Sequence, residues 1–455
     1  MPSCPARRTW VRATLAVTLA VTAPVALSQK PPKPQQPAAQ IPMVLSSSGE
    51  KVFAYAKPRL LQIRTLVASA KRQSSIGSGF FVSADGLALT NYHVVSQFAM
   101  EPKTYTMEYI APDGSKGPLE LLAIDIVNDL AVVRVAKSGL DFFELDKRAI
   151  DGSMAKGERL YAMGNPLDLG FTIVEGTYNG LVDKSYNEQV HFSGAMNPGM
   201  SGGPTTTGDG RVAGINVARR LDGEMVSFLV PAKHADALLK RARGEGQLDT
   251  SKARAEIGRQ LTRWQAAFYK DVAETGFKPA AFGRYRAPES AAPWFQCWAS
   301  TNSDKFPKVR AQVNTTQCWA QTSIFVAGDL RTGTVNFSHA YLQSVDLNEF
   351  QFAAFASQQF RNLRSSGFDR RRLTRQECID DFIEPAPGTQ RPAARVRWCA
   401  RAYRDFEGLY DVNLVALTQD KSLEGLVSQL SMRGVSWDNA NALSKRFLAE
   451  IQWAK

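Results

Sequence analysis

Histidine and cysteine are scarce in this chain: its 455 residues include four of the first and five of the second. No Cys-x-x-Cys spacing occurs, and His339 is the only histidine beyond residue 285. That excludes the common thiolate and imidazole zinc frameworks, so neither a metal nor a cofactor is expected. After residue 28 no apolar run is long enough to span a bilayer. The net charge is +12, yet no nucleic-acid-binding signature accompanies it, so nucleic acid is not an expected partner. Hydrophobic residues are not in short supply, at 44%, which suffices for ordinary cores and argues against wholesale disorder. The length implies two or three domains.

Residues 1–28 read as a secretory signal peptide. Arg7, Arg8 and Arg12 precede and open an apolar run, Ala13 to Ala26, and Ala26-Leu-Ser28 offers small residues for cleavage. Pro24 breaks the run, so a permanent anchor is the weaker reading, and Cys4 lies too early for a lipoprotein site. Removing the leader lowers the net charge to about +9. The expected location is the periplasm, with secretion as the alternative. Residues 29–48, with Lys30-Pro-Pro-Lys-Pro-Gln-Gln-Pro37, form a proline-rich linker.

The most informative segment is Asn197-Pro-Gly-Met-Ser-Gly-Gly-Pro204. A serine between glycines suits a sharp turn that exposes its hydroxyl. The N–H groups of Gly199 and Ser201 can then face a developing oxyanion. Such a serine needs a base, and the base needs an orienting carboxylate. Thr90-Asn-Tyr-His-Val-Val95 offers His93, and Asn128-Asp-Leu-Ala131 offers Asp129, with Asp125 as a nearby competitor. The order His, Asp, Ser is one known for this constellation.

These segments resemble HtrA-type trypsin-like serine proteases. Gly77-Ser-Gly-Phe-Phe-Val-Ser-Ala-Asp-Gly-Leu-Ala-Leu-Thr-Asn-Tyr-His-Val-Val95 is similar to the family's histidine segment, and Asp129-Leu-Ala-Val-Val133 to its aspartate strand. Ala162-Met-Gly-Asn-Pro-Leu167 resembles the strand and turn before the active serine, and Gly214-Ile-Asn216 the strand after it. The resemblance covers residues 50–245, under half the chain. It implies a serine endopeptidase with His93, Asp129 and Ser201 catalytic and Gly199 and Ser201 forming the oxyanion hole. It also puts Ala195 on the floor of the specificity pocket, with Asn216 and Val217 supplying wall and main-chain pairing. Without an acid at Ala195, cleavage after small or medium aliphatic residues is expected. Met200 departs from the polar residue common there; it either lets the loop switch or simply packs. No PDZ carboxylate-binding loop is evident.

The implied fold is an all-β double-barrel protease domain followed by an α+β C-terminal domain. From Val52 to Val230 short apolar runs alternate with turns, and Asp85-Gly86, Asp113-Gly114, Asp209-Gly210 and Asp222-Gly223 are hairpin signals. The expected divisions are a protease domain at 49–245, a helical connector at 246–284 and an α+β region at 285–455. Ala232–Arg243 and Ser251–Thr275 read as helices. In the second, Ile257, Leu261, Trp264, Phe268 and Val272 form one apolar stripe that Gly276 ends.

Beyond residue 285, strands are expected near Ser323–Val326, Thr334–Leu342, Arg395–Arg404 and Leu409–Leu417. Asn348–Leu363, Leu423–Arg433 and Trp437–Trp453 read as helices, the last capped by Ser436. The four cysteines of an exported chain permit three pairings. Two hairpin-bridging disulfides, Cys297–Cys318 and Cys378–Cys399, are the chosen reading; free buried thiols are the alternative. Arg361, Arg364, Arg370, Arg371, Arg372 and Arg375 form a basic cluster, read as a solvated face or as an attractor for anionic envelope polymer. His191 and His234 read as structural. Unfolded or extended polypeptides are the expected substrates, and a binding module with a switched-off protease fold is the alternative.

Overall fold

Short strands with one apolar face close on themselves when their ladders are antiparallel and their turns tight. The computed structural model describes residues 47–219, 226–244, 248–290, 292–305, 308–361, 370–385 and 388–454. The leader, most of the proline-rich linker, Asp222-Gly223 and Arg364 lie outside the described residues. Seven strands between Leu60 and Arg134 form the first antiparallel sheet. Lys116–Pro118 and Glu120–Asp125 run on through Leu119, whose N–H donates to the Met107 carbonyl at 3.1 Å. One bent stretch thus pairs with Tyr105–Ile110 at one end and Leu130–Arg134 at the other. Six strands from Arg159–Gly164 to Ser227–Pro231 make a closed barrel. Gly86, Gly114 and Gly210 have positive φ in the turns their Asp-Gly pairs mark.

Helix Ala232–Arg243 leaves the closed barrel and packs Ala235, Leu238 and Leu239 against Leu122, Leu130 and Val132 of the first sheet. Helix Ala253–Thr275 follows, and all five residues of its apolar stripe are buried. Its Gln260 is 6% exposed and fully used. The amide donates to the Ile124 carbonyl and accepts from the Ile126 N–H, both at 2.9 Å. The helix therefore grips the segment leading to Asp129.

A seven-stranded antiparallel sheet occupies the C-terminal region, in the order Phe295–Thr301, Ala311–Ala320, Thr334–Ser344, Glu424–Val435, Tyr410–Thr418, Ala394–Ala402, Glu377–Ile383. Helix Glu349–Arg361 buries Phe352 and Phe360 against Val415, Leu417 and Val427 on one face. Helices Ala253–Thr275 and Trp437–Ala449 cover the other, and Ser436 caps the second by accepting from the Asn439 N–H. Both disulfides form between directly opposed residues, Cys297 with Cys318 and Cys378 with Cys399. Each ties an edge strand to its neighbour.

Two expectations are corrected. The helix expected over Trp437–Trp453 ends at Ala449, and Gln452–Trp453 is a strand because it pairs with Tyr285 and Arg286. Leu423–Arg433 is not helical; Glu424–Val435 is a central strand. Leu423, Leu426, Val427 and Leu430 satisfy a helical period, but Leu426, Leu430 and Met432 also satisfy the two-residue period. Ladders from Thr334–Ser344 and Tyr410–Thr418 on both sides decide the matter.

The regions expected to be separate units share one core. A single buried cluster joins Tyr92, Ile126 and Val135 of the first sheet to Trp264 and Phe268 of the long helix and to Val326, Phe337 and Leu430 beyond. The described residues accordingly form one compact unit.

Candidate active site

Strand Leu87–Thr90 delivers the chain to helix Tyr92–Met100, so His93 stands in the helix's first turn. Asp129 faces it from the turn between strands Glu120–Asp125 and Leu130–Arg134, at φ +54°, a conformation uncommon outside glycine. The turn is held on several sides. The Asp129 carbonyl accepts from the Tyr92 N–H at 3.1 Å and from Asn91 Nδ2 at 2.8 Å. Its Oδ1 accepts from the His93 N–H at 2.8 Å, and its Oδ2 lies 2.6 Å from His93 Nδ1. A carboxylate only accepts, so Nδ1 carries the proton and Nε2 keeps a free lone pair. Burial pulls the His93 pKa down. The Asp129 charge and hydrogen bond push it up, Arg331 opposes them, and the balance lies above the ordinary imidazole value.

Ser201 sits in a loop braced from behind by Ser78. The Ser78 hydroxyl donates to the Gly199 carbonyl at 2.7 Å and accepts from the Asn165 N–H at 2.9 Å, while its N–H donates to the Ser201 carbonyl at 2.8 Å. Gly202 has φ +85°, and a Cβ there would lie 2.3 Å from the Ser78 carbonyl oxygen, so only glycine fits. Among the described residues the N–H groups of Gly199 and Ser201 have no hydrogen-bond partner. The Ser201 hydroxyl donates to the Val217 carbonyl at 3.3 Å, and among the described residues no hydrogen bond joins it to His93.

Asp125, the competitor, takes the N–H and side-chain amide of Asn128 and pairs with Arg241 at 3.7 Å, away from His93. Met200 is 1% exposed in the core of the closed barrel, which accounts for its apolar character by packing. His234 bonds Glu188 at 2.9 Å. In the basic cluster Arg372 is largely buried and bonds Glu101, Asp329 and Asp405, an internal tie rather than a solvated face; Arg371 also reaches Asp329.

Asn216 is a third correction. It is fully buried, its amide donating to the carbonyls of Met163 at 2.9 Å and Met200 at 3.2 Å and accepting from Thr205 at 2.6 Å. Its N–H donates to Gly203 and its carbonyl accepts from Gly202. Asn216 thus braces the Ser201 loop and has no atom left for a substrate. Val217, at a bulge in the next position, does line the cavity beside His93; Ala195 is exposed and does not. Ser78 lay within a quoted motif but carried no functional signal of its own. Phe325 and Arg331 also line the cavity, and no local pattern marked them.

The model of a trypsin-like peptidase domain matches the chain over residues 77–215. Residues 77–215 are a trypsin-like peptidase domain by this match. HhoB of Synechocystis, described as a serine protease, is 32% identical over 186 residues, covering 39% of this chain and 42% of its own. A DegP-like periplasmic serine endoprotease of Bartonella henselae is 31% identical over 181 residues, covering 37% of this chain and 34% of its own. The serine endoprotease of Yersinia pestis aligns in structure with a TM-score of 0.38 at 22% identity, covering 45% of this chain and 70% of its own. The chain spans less than half the length of the curated relatives it matches.

Proposed function

We propose that this chain is an exported serine endopeptidase that hydrolyses peptide bonds of unfolded or extended envelope polypeptides. Ser201 attacks the scissile carbonyl. His93 Nε2 takes the hydroxyl proton and later gives it to the leaving amine, while Asp129 holds the ring and stabilises the imidazolium. The N–H groups of Gly199 and Ser201 receive the oxyanion. Water then repeats the sequence on the acyl-enzyme. The observation that carries this reading is the His93–Asp129 pair at 2.6 Å, together with a serine loop whose Gly199 and Ser201 N–H groups have no partner among the described residues and whose Ser201 hydroxyl bonds Val217, a residue that lines the cavity beside His93. The relatives named as serine proteases, one of them as periplasmic, support the activity class and the compartment. Residues 1–28 serve as the export signal in this reading, residues 49–245 as the peptidase, and residues 285–455 as an appended α+β region.

The test is hydrolysis of unfolded casein by the mature protein, with and without Ser201→Ala. Loss of cleavage in the variant is expected; equal rates would remove Ser201 from the mechanism. A second reading is a peptide-gripping module with a switched-off site. The Ser201 hydroxyl favours it by bonding Val217 instead of His93. Labelling by a fluorophosphonate separates the two, because only an assembled triad reacts at an appreciable rate.

A further inference from the structure

A cavity of about 640 Å³ opens beside His93, and two distant parts of the chain wall it. His93, Asp129 and Val217 line one side; Trp319, Phe325 and Arg331 line the other. The second wall is fixed in place. The Tyr92 hydroxyl donates to the Val326 carbonyl at 2.8 Å, and the Tyr186 N–H to the Gln321 carbonyl at 3.2 Å. The rings of Phe325 and His93 meet edge to face at 5.9 Å. The hairpin of Ile324–Ala327 and Leu330–Thr332 is therefore built into the cleft.

The charges in this cavity are unbalanced. Of its two carboxylates, Asp129 is committed to His93 and Glu188 to Lys233 at 2.7 Å and His234 at 2.9 Å. Its cations, Lys184 and Arg331, stand on opposite walls. Both are exposed, and among the described residues neither side chain has a hydrogen bond or an ion pair. The Arg331 guanidinium lies 5.2 Å over the Phe325 ring, which orients it without neutralising it. Two uncompensated cations over apolar surface form a receptor for a carboxylate on a short apolar stem.

We infer that this cavity receives the acyl half of an extended polypeptide substrate and selects an acidic side chain there, with Arg331 and Lys184 as specificity-determining residues. The inference rests on the peptidase reading for its orientation, since the cavity lies along Val217, the strand beside the nucleophile. It assigns part of the substrate site to the C-terminal region.

The experiment uses quenched-fluorescent peptides that differ only by Glu or Gln at each of four positions before the scissile bond. They are compared on the mature protein and on Arg331→Gln, Arg331→Lys, Arg331→Glu and the Lys184→Gln/Arg331→Gln double variant, at low and high salt. Active sites are counted by fluorophosphonate. The expected result is a Glu-over-Gln preference of about threefold to tenfold in kcat/KM at one or more positions, weaker at high salt. It is kept by Arg331→Lys, reduced by Arg331→Gln, lost in the double variant and inverted by Arg331→Glu. Equal rates for Glu and Gln at all four positions, on an enzyme that labels normally, would overturn it. Binding of the same peptides to Ser201→Ala, read by fluorescence anisotropy, repeats the comparison without turnover. A protein that neither labels nor cleaves but binds the Glu peptides more tightly contradicts the peptidase reading alone, and equal binding contradicts the inference.

Discussion

The Tyr92 hydroxyl donates to the Val326 carbonyl at 2.8 Å, and Tyr92 is the residue directly before His93. The base of the candidate site is thus anchored to a hairpin from the C-terminal region. Tyr92 is fully buried, so Tyr92→Phe leaves a buried carbonyl without its donor and should cost about 1–3 kcal/mol of stability. A chain ended after Arg243 should fare far worse, because it strips the shared core from Tyr92, Ile126 and Val135. Thermal unfolding checks both. A truncated chain with unchanged stability and activity would show that the two regions work independently.

Asp129→Asn should lower kcat by orders of magnitude, on the order of 10⁴-fold by analogy with a well-studied triad, because an amide opposite Nδ1 no longer requires the proton there. Asp125→Asn should change it little, since that carboxylate serves Asn128 and Arg241. The ranking of the two variants in kcat is the measurement. The reverse ranking would assign the orienting role to Asp125.

Ser78→Ala removes the hydroxyl that joins the Gly199 carbonyl to the Asn165 N–H. Ser78 is fully buried, so its hydroxyl acts by positioning the turn at Gly199. We expect kcat to fall about tenfold with KM nearly unchanged, as for the loss of one buried hydrogen bond. A rise in KM with kcat preserved would mean that Ser78 shapes substrate binding instead.

The pH dependence follows from the groups facing His93, which are Asp129 and Arg331. Only the neutral ring can act as base, and its pKa is raised, so the acid limb of kcat/KM should lie above the ordinary imidazole value. Arg331 opposes that rise. Arg331→Gln should therefore move the limb to higher pH, and a shift to lower pH would contradict the observed placement of the guanidinium.

His339 is buried between Phe282, Phe337 and Phe447. Its Nε2–H donates to the Pro288 carbonyl at 2.8 Å, which leaves Nδ1 to accept from Ser428. Burial pulls its pKa down to about 4. The unfolded chain binds this proton near pH 6.5, so stability should fall as pH drops from about 6.5 to 4 and level off below, by about 3 kcal/mol in all. Denaturant titration of wild type and His339→Gln across that range tests it. Identical slopes against pH would show that His339 does not carry the effect.

What the sequence by itself determined is what short spacing encodes. The Asp-Gly turns, the apolar stripe of helix Ala253–Thr275, the histidine and aspartate segments and the glycine-bound serine are local patterns whose geometry follows from a few neighbouring residues. The cross-strand cysteines belong here too, because each pair flanks its own turn. Tertiary structure decided the remainder, where local signals were ambiguous or silent. Leu423–Arg433 fits two periods, and only its ladder partners select a strand. Asn216 follows a recognisable motif, yet the fold turns it inward to hold the carbonyls of Met163 and Met200. Phe325 and Arg331 lie far along the chain from His93 and reach it because the core shared by both regions docks their hairpin over Tyr92. Burial of apolar surface is non-directional and carries no sequence spacing, so no motif could have placed those two side chains at the site.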